Sequence, residues 1–252
     1  MSTSHAIETT ALTKVYTGTH AVDELELAVP TGSIYGFLGP NGAGKTTTMR
    51  MLTGLLQPTS GEGTIVGESI RDRRALVPHI GYLPEAPPLY DELSGREQLD
   101  YVADLRNIPD DAATQKIDAL LDTFDLAGDA ARRIDGYSKG MRQKLAYIQT
   151  ILHDPDVVFL DEPTSGLDPR AARTLREHVH QLADDGTTVF LSTHILPVVE
   201  ELADVVGVLK DGRLVAEGTP DGLKDRAESE TESTLEDVFL DVTSSPKHGF
   251  GQ

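Results

Sequence analysis

The run of residues 39–46, Gly-Pro-Asn-Gly-Ala-Gly-Lys-Thr, restricts the fold of this chain more than any other feature of its sequence. An apolar, strand-like run at residues 33–38 precedes it, and a helical pattern at residues 44–53 follows it. Glycines let the backbone N–H groups of such a turn point inward at an anion, and the helix start adds a partial positive charge. This strand–loop–helix order is typical of α/β cores that bind nucleotide phosphates.

The same loop supplies side chains for phosphate chemistry. We expect Lys45 to reach the β and γ phosphates of a nucleotide and Thr46 to supply a Mg²⁺ ligand. The alternative is a glycine-rich turn that arose by chance, and the strand and helix patterns on either side argue against it. The whole candidate phosphate site consists of Gly39, Pro40, Asn41, Gly42, Ala43, Gly44, Lys45, Thr46 and Thr47.

Two adjacent carboxylates follow a second apolar run. Residues 157–160, Val-Val-Phe-Leu, predict a buried strand, and Asp161 and Glu162 come directly after it. Parallel sheets place their ligand sites at the carboxyl ends of strands. We therefore expect Asp161 to hold Mg²⁺ through its water shell and Glu162 to orient or deprotonate the attacking water. Alone, such a pair of carboxylates more often marks a solvated turn. Because a phosphate loop is present in the same chain, we favour the interpretation that the pair takes part in phosphate chemistry.

A capped helix start occurs at residues 137–143, Tyr-Ser-Lys-Gly-Met-Arg-Gln, and the helix is expected to run to about residue 153. Ser138 as a cap and Gly140 would leave backbone N–H groups pointing outward. Such an end can complete the charge-stabilising cage that phosphoryl transfer needs around the γ-phosphate. Without the other motifs, the same residues would indicate only a well-capped helix.

The remaining patterns predict an α/β fold in which two kinds of sheet are combined. Strand-like runs at residues 7–16 and 22–29 predict an N-terminal antiparallel β subdomain. Later runs at residues 156–160, 187–191 and 205–209 alternate with helical patterns, as expected of a mainly parallel sheet. The helix between the first two of these runs is expected to carry Leu175, Val179 and Leu182 on one stripe.

Residues 86–152 have helical periodicity and predict a helical lobe inserted in the sheet domain. The charged linker at residues 224–234 is followed by a possible short helix at residues 235–242, and residues 243–252 are expected to be disordered. The apolar faces of the lobe are expected at Leu99, Val102 and Leu105 and at Ile117, Leu120, Leu121 and Phe124.

The composition of the chain limits the cellular compartment in which we expect it. The chain has no cysteine, which excludes disulfides and thiolate metal sites. It has no run of about 18 apolar residues and no signal-peptide pattern at its start. We expect it to stay in the cytoplasm and to reach a membrane only through a partner.

The net charge of −19, from 41 acidic and 22 basic residues, predicts a surface that repels nucleic acid and anionic lipid. Two interpretations remain open for this charge. One is an acidic mesophilic enzyme. The other, which we favour, is a protein of a high-salt cytoplasm, where a Debye length of about 3 Å at 1 M salt screens self-repulsion.

Taken in their order along residues 5 to 222, these motifs resemble the nucleotide-binding subunits of the ATP-binding cassette (ABC) family. Its phosphate loop, signature loop and second nucleotide motif correspond to residues 39–46, 138–143 and 157–162. Ser165-Gly166-Leu167-Asp168 matches its dimer-contact loop, and Tyr16 and His194 match its adenine-stacking aromatic residue and its switch histidine. The resemblance implies a P-loop NTPase core, with residues 1–222 as the ATPase domain and 223–252 as an acidic tail.

The resemblance also implies site residues and partners. Lys45, Glu162 and His194 would be catalytic, and Thr46, Glu85 and Asp161 would hold Mg²⁺. ATP would be sandwiched between two cassettes, identical or paralogous, so that one protomer also offers Ser138, Gly140, Gln143 and Asp168 to the nucleotide of the other. ATP binding would close the dimer, hydrolysis would open it, and the helical lobe would carry the motion to a membrane permease.

Two departures from the family pattern narrow this expectation. The signature loop is Ser-Lys-Gly-Met-Arg-Gln where Ser-Gly-Gly-Gln is commoner, and a predicted loop at residues 81–85 ends in Glu85 where most members have Gln. Both variants, and the tail residues 234–240, are similar to cassettes paired with type-2 (ABC-2) permeases and favour an exporter on the cytoplasmic face of the membrane. A soluble cassette ATPase of DNA repair or translation is the alternative. A non-hydrolysing regulatory subunit would lack Glu162 or His194.

Overall fold

The computed structural model describes residues 4–225. Within them lie ten strands and eight helices. The strands are β1 (His5–Tyr16), β2 (Thr19–Pro30), β3 (Ile34–Leu38), β4 (Ser60–Ile65), β5 (Glu68–Ser69), β6 (Ile80–Leu83), β7 (Val157–Asp161), β8 (Thr188–Thr193), β9 (Val205–Lys210) and β10 (Arg213–Gly218). The helices are α1 (Lys45–Leu52), α2 (Arg73–Leu76), α3 (Gly95–Leu105), α4 (Asp110–Thr123), α5 (Lys139–Ile151), α6 (Pro169–Asp184), α7 (Leu196–Leu202) and α8 (Pro220–Lys224).

A six-stranded sheet forms the centre of the fold, in the order β10-β9-β3-β8-β7-β6. All of its neighbouring pairs are parallel except β9 and β10, which form an antiparallel hairpin. Strands β3, β7 and β8 are buried along their whole length, as expected for strands covered on both faces. This confirms the predicted α/β core with a mainly parallel sheet.

A second sheet is antiparallel and has the order β2-β1-β4-β5. The β1–β2 hairpin turns at Thr17 and Gly18, which both have positive φ, as the tightest hairpin turns require. Apolar side chains of β1 and β2, such as Ile7 and Val29, are buried against α1 and the central sheet. The predicted N-terminal antiparallel subdomain is therefore present, and sequence patterns did not reveal its strands β4 and β5.

Helices α3, α4 and α5 lie between β6 and β7 in the chain, where the helical lobe was expected. Helix α3 begins with a capping box, in which Ser94 accepts from the Glu97 N–H and Glu97 accepts from the Ser94 N–H. The four predicted apolar residues of α4 and its end are buried. Leu105 was expected on the same apolar face as Leu99 and Val102, which is wrong, because Leu105 is 63% exposed.

The position of Leu105 on the helix explains this error. A residue six positions after Leu99 lies about 240° around the helix, whereas Ala103, four positions on, returns to within about 40° of it. Leu99 and Ala103 are accordingly buried on α3, and Val102, which lies on the side of Leu99 toward Leu105, is half-buried.

Residues 81–85 are not entirely a loop, since β6 includes residues 81–83 and pairs with β7.

Within residues 4–225, no helix is both long and apolar enough to cross a membrane. The predicted short helix at residues 235–242, the disorder of residues 243–252 and most of the charged linker lie outside the described residues. The domain boundaries at residues 86–152 and 222 stay predictions.

Candidate active site

A cavity of about 350 Å³ lies at the carboxyl ends of the parallel strands. Gly39 follows β3, Glu85 comes two residues after β6, and Glu162 and His194 directly follow β7 and β8. Parallel strands end at the same sheet edge, so these residues meet although they are far apart in sequence. The cavity is lined by Asn41, Gly42, Gly44, Lys45, Thr46 and Thr47 of the loop and by Ala21, Glu85, Asp161, Glu162 and His194.

The glycines of the loop are required by its geometry. Gly44 has φ +111, and a Cβ there would lie 2.3 Å from the carbonyl oxygen of Ala21. A Cβ at Gly39 would lie 2.6 Å from the carbonyl oxygen of Leu209. The loop therefore packs against β2 and β9 while its inner side faces the cavity, as a phosphate cradle must.

The side chain of Lys45 is buried within the loop. Its Nζ donates to the carbonyl oxygens of Gly39 and Pro40, at 2.6 and 3.3 Å. Burial lowers the pKa of Lys45, and the negative charges of Glu162, Asp161 and Glu85 oppose that shift. The charges of three carboxylates around one cavity therefore favour the protonated form of Lys45. This ammonium lies where a contact with the β and γ phosphates is expected.

Asp161 is 2% exposed and is held by two hydroxyl groups. The Oγ1 of Thr46 donates to its Oδ2 at 3.0 Å, and the Oγ of Ser192 donates to its Oδ1. A hydroxyl and a carboxylate oxygen side by side form the hard-oxygen set that suits Mg²⁺, which takes few protein ligands and completes its shell with phosphate and water. The residues present fit that ion.

Glu162 has a left-handed backbone conformation, φ 50, which is uncommon for a residue other than glycine. Its carboxylate is held by β8 and the residue after it. The Oγ1 of Thr193 donates to Oε2 at 2.9 Å, and the backbone N–H of His194 donates to Oε1 at 3.0 Å. The ring Nδ1 of His194 also lies 2.7 Å from Oε1. These hydrogen bonds hold the carboxylate at a residue that lines the cavity.

Five of the predicted nucleotide-binding residues lie away from this cavity. Ser138 caps α5 by accepting from the Met141 N–H, and Asp168 caps α6 by accepting from the N–H groups of Arg170 and Ala171. Those backbone donors, the Ala171 N–H foremost, lower the pKa of Asp168. The remaining three are Gly140, Gln143 and Tyr16, of which Tyr16 is 46% exposed.

Sequence reasoning did not assign Ser192 and Thr193, although both hold a carboxylate of the site. Their signal was present, because the two residues directly precede His194 at the end of a strand-like run. Parallel sheets bind ligands at the carboxyl ends of their strands. Two hydroxyl side chains at the end of a buried strand are therefore candidates for the site.

Comparisons with known proteins agree with this geometry. Residues 22–165 match the family model described as ABC transporter. The chain is 41% identical to the bacitracin transport ATP-binding protein BcrA of Bacillus licheniformis, over 97% of this chain and 80% of that protein. It is 42% identical to the daunorubicin/doxorubicin resistance ATP-binding protein DrrA of Streptomyces peucetius, over 88% of this chain and 67% of that protein.

A solved structure titled as the ATP binding subunit of an ABC transporter has a TM-score of 0.88 to this chain and 30% identity, and the match covers 94% of this chain and 99% of that one. This chain therefore shares its fold with that subunit along nearly its full length. The shared fold contains the phosphate loop, the Asp161–Glu162 pair and His194. The chain belongs to the ABC transporter family, among the ATP-binding subunits whose ATP hydrolysis drives membrane transport.

Proposed function

We propose that this chain hydrolyses ATP with Mg²⁺, as a dimer, on the cytoplasmic face of a membrane, and thereby drives an ABC-2 type permease that exports its cargo. The observation that carries the proposal is the meeting, in one cavity, of Lys45, the Thr46–Asp161 pair and the Glu162–His194 pair. Each group has a separate task in phosphoryl transfer, which depends on positioning and charge stabilisation.

The first task is to bind the triphosphate. Lys45 leaves the carbonyl oxygens of Gly39 and Pro40 for the β and γ phosphates, because an anionic oxygen is a stronger acceptor than a carbonyl. Thr46 and Asp161 would hold Mg²⁺, with Glu85 contributing a further carboxylate from its side of the cavity. Bound Mg²⁺ supplies positive charge that offsets the charge of the phosphates.

The second task is to activate water. Glu162 orients the attacking water or takes its proton, and His194 contacts the γ-phosphate. Thr193 stays on Oε2 and the His194 N–H stays on Oε1, so one acceptor position of Oε1 is left for the water when the imidazole turns to the phosphate. Hydrolysis therefore requires a switch of one side chain rather than a rearrangement of the sheet.

The third task needs a second cassette. Ser138, Gly140, Gln143 and Asp168 lie outside the cavity, so a nucleotide in this cavity is not covered by them within one chain. The start of α5, where the Ser138 side chain accepts only from the Met141 N–H, suits a phosphate presented by a partner. A head-to-tail dimer brings each such helix start over the nucleotide of the other protomer.

A groove on the helical lobe supports the assignment of a permease partner. Tyr90, Tyr101 and Leu105 are exposed there, and the rings of Tyr90 and Tyr101 form an edge-to-face pair 5.6 Å apart. Exposed aromatic and aliphatic groups side by side mark binding surfaces. The groove is also lined by Tyr82, three residues before Glu85, so a partner docked in it is close to the nucleotide cavity.

Export is the direction we propose, because BcrA and DrrA are named for bacitracin transport and for daunorubicin and doxorubicin resistance. A soluble ATPase of DNA repair or translation is not favoured, since these relatives are transport and resistance proteins. The charge of −19 further supports work in a salt-rich cytoplasm.

The test of the proposed function is phosphate release from ATP by the purified chain. We expect turnover that requires Mg²⁺, stops with chelator and is lost in Lys45→Ala, because the ammonium that stabilises the phosphates is removed. Co-purification with an ABC-2 type permease, sought among the products of neighbouring genes, would support the proposed partner. Binding of ATP without hydrolysis, alone and with that permease, would contradict the proposal.

A further inference from the structure

The signature loop departs from the commoner family form at its second residue, Lys139, where a glycine is usual. The side chain of Lys139 extends from the start of α5 across the segment that follows Glu162. Its Nζ donates to the Oγ of Ser165 at 3.1 Å. Its stem lies on Gly166, where a Cβ would be 2.7 Å from the Cδ of Lys139. Both a polar and an apolar contact therefore join this lysine to residues 165 and 166.

Two further contacts hold the same two segments together. A Cβ at Gly140 would lie 3.0 Å from the carbonyl oxygen of Gly166. The Nε2 of Gln143, a buried side chain, donates to the carbonyl oxygen of Pro163 at 3.1 Å. The first turn of α5 and residues 163–166 thus form one packed unit, in which Lys139 and Gly166 are exposed.

This unit includes the turn that carries Glu162. The backbone N–H of Ser165 donates to the carbonyl oxygen of Glu162 at 3.0 Å. Glu162 has φ 50, and a strained backbone of this kind persists only where the surrounding contacts hold it. A hydrogen bond from Lys139 to Ser165 therefore restrains the turn on which the orientation of the Glu162 carboxylate depends.

We propose that Lys139 is a positioning residue, which clamps the turn of residues 162–165 to the start of α5 and so couples the helical lobe to the carboxylate that acts on water. A glycine at position 139 has no side chain to make either contact. The proposal rests on the proposed function, because it assumes the catalytic role of Glu162. It adds a connection, within one protomer, between the lobe and that carboxylate.

Hydrogen exchange in the nucleotide-free protein tests the clamp without any turnover. Lys139→Met keeps the stem on Gly166 and removes the donor to Ser165. We expect the Ser165 amide to exchange roughly threefold to tenfold faster in Lys139→Met, the effect of losing one hydrogen bond. Lys139→Arg, which keeps a donor, should restore slow exchange. Lys116→Met, which removes another surface ammonium of the lobe, should leave the Ser165 amide unchanged.

Steady-state kinetics test the consequence of the clamp. We expect kcat to fall roughly threefold to tenfold in Lys139→Met, with the KM for ATP nearly unchanged, because only the placement of Glu162 is affected. Ser165→Ala should cause a similar loss. The double variant should be no slower than the slower single variant, since both changes remove the same hydrogen bond.

Three results would overturn the proposal. Unchanged exchange at Ser165 in Lys139→Met would show that there is no clamp. Faster exchange with unchanged kcat would show that the clamp does not position Glu162. A higher KM, an unchanged kcat and additive losses in the double variant would assign Lys139 to nucleotide contact across the dimer. Absence of ATP turnover in the wild-type protein would refute the proposed function instead, and the exchange result would still decide whether the clamp exists.

Discussion

The imidazole Nδ1 of His194 lies 2.7 Å from Oε1 of Glu162, so the residue expected to sense the γ-phosphate contacts the residue expected to activate water. Glu162 is 12% exposed at its side chain, and Thr193 and the His194 N–H hold it as well. A γ-phosphate bound in the cavity would compete with Oε1 of Glu162 for contact with the imidazole ring of His194. If His194 has the proposed role, arrival of ATP would free one acceptor position of Oε1, while the His194 N–H would keep its hydrogen bond to the same oxygen.

Replacing the ring of His194 should separate binding from hydrolysis. We expect His194→Ala to bind ATP with nearly normal affinity and to hydrolyse it slowly, by roughly tenfold to a hundredfold, because a contact made mainly to the reacting phosphate is lost. ATP and ADP affinities and single-turnover rates measure this. His180→Ala, at an exposed position of α6, is the matched control. Equal losses of ATP and ADP affinity would assign His194 a structural role.

Glu85 should tune the metal site. It lines the cavity and its charge acts on Lys45, so a carboxylate stands where the family usually has a neutral amide. If it approaches the metal, Glu85→Gln should weaken the apparent affinity for Mg²⁺ and keep maximal turnover within about tenfold. A Mg²⁺ titration of turnover and of nucleotide binding measures this.

The control for Glu85 is Glu62→Gln, at an exposed residue of β4. An unchanged Mg²⁺ curve in Glu85→Gln would exclude the metal role and leave Glu85 as an acidic surface residue or an ion-pair partner of the permease. A loss of turnover as deep as that of Glu162→Gln would mean that the general base had been assigned to the wrong carboxylate.

Salt should stabilise this chain. Acidic residues outnumber basic ones 41 to 22, and their mutual repulsion opposes the compact state until salt screens it. We expect the Tm and the ATPase rate to rise with KCl into the molar range. A Tm that is highest near physiological salt and falls above it would contradict the halophilic interpretation.

His153 should make the fold sensitive to mild acid. Burial, with the nearby charge of Arg106, lowers the pKa of His153 to about 4. Its Nε2 faces the carbonyl oxygen of Ile80 at 2.9 Å, and its Nδ1 is buried without a hydrogen-bond partner among residues 4–225. Between about pH 6.5 and 4 the unfolded chain binds this proton and the folded chain does not, so stability falls as the pH falls through that window.

His153→Gln should reduce this loss, because the amide can still donate to Ile80 and does not titrate. Urea unfolding midpoints at pH 7.5 and 5 measure the difference, with His180→Gln as an exposed control. The loss is reduced rather than abolished, since burial also lowers the pKa of His178. The same pH dependence in His153→Gln and in the wild type would contradict the assignment.

The parts of the site that could be predicted from sequence are those whose chemistry lies in consecutive residues. The phosphate loop carries its glycines, Lys45 and Thr46 in a single run, and the pair Asp161–Glu162 directly follows its strand. The contacts of Ser192 with Asp161 and of Thr193 with Glu162 could not be predicted in the same way, because each joins two residues that are 31 positions apart in the sequence. Such contacts depend on which strands become neighbours in the sheet.

Errors in the fold have a similar origin. Leu105 is apolar and falls within the helical pattern, but it lies off the face of α3 that packs through Leu99 and Ala103, and it is exposed. Strand β6 is only four residues long and has a glycine within it, so it gave a weak pattern before its pairing with β7 was known. Local pattern locates the elements, and tertiary contacts decide which of their residues are covered.

The most direct measurement of the central claim is ATP turnover by Glu162→Gln, with Glu177→Gln at an exposed position of α6 as control. We expect turnover to fall about 100-fold or more, as for removal of a general base, while ATP still binds and holds the variant as a dimer in size-exclusion chromatography. The control should keep wild-type turnover. Wild-type turnover in purified Glu162→Gln would contradict the account and place the base on another residue.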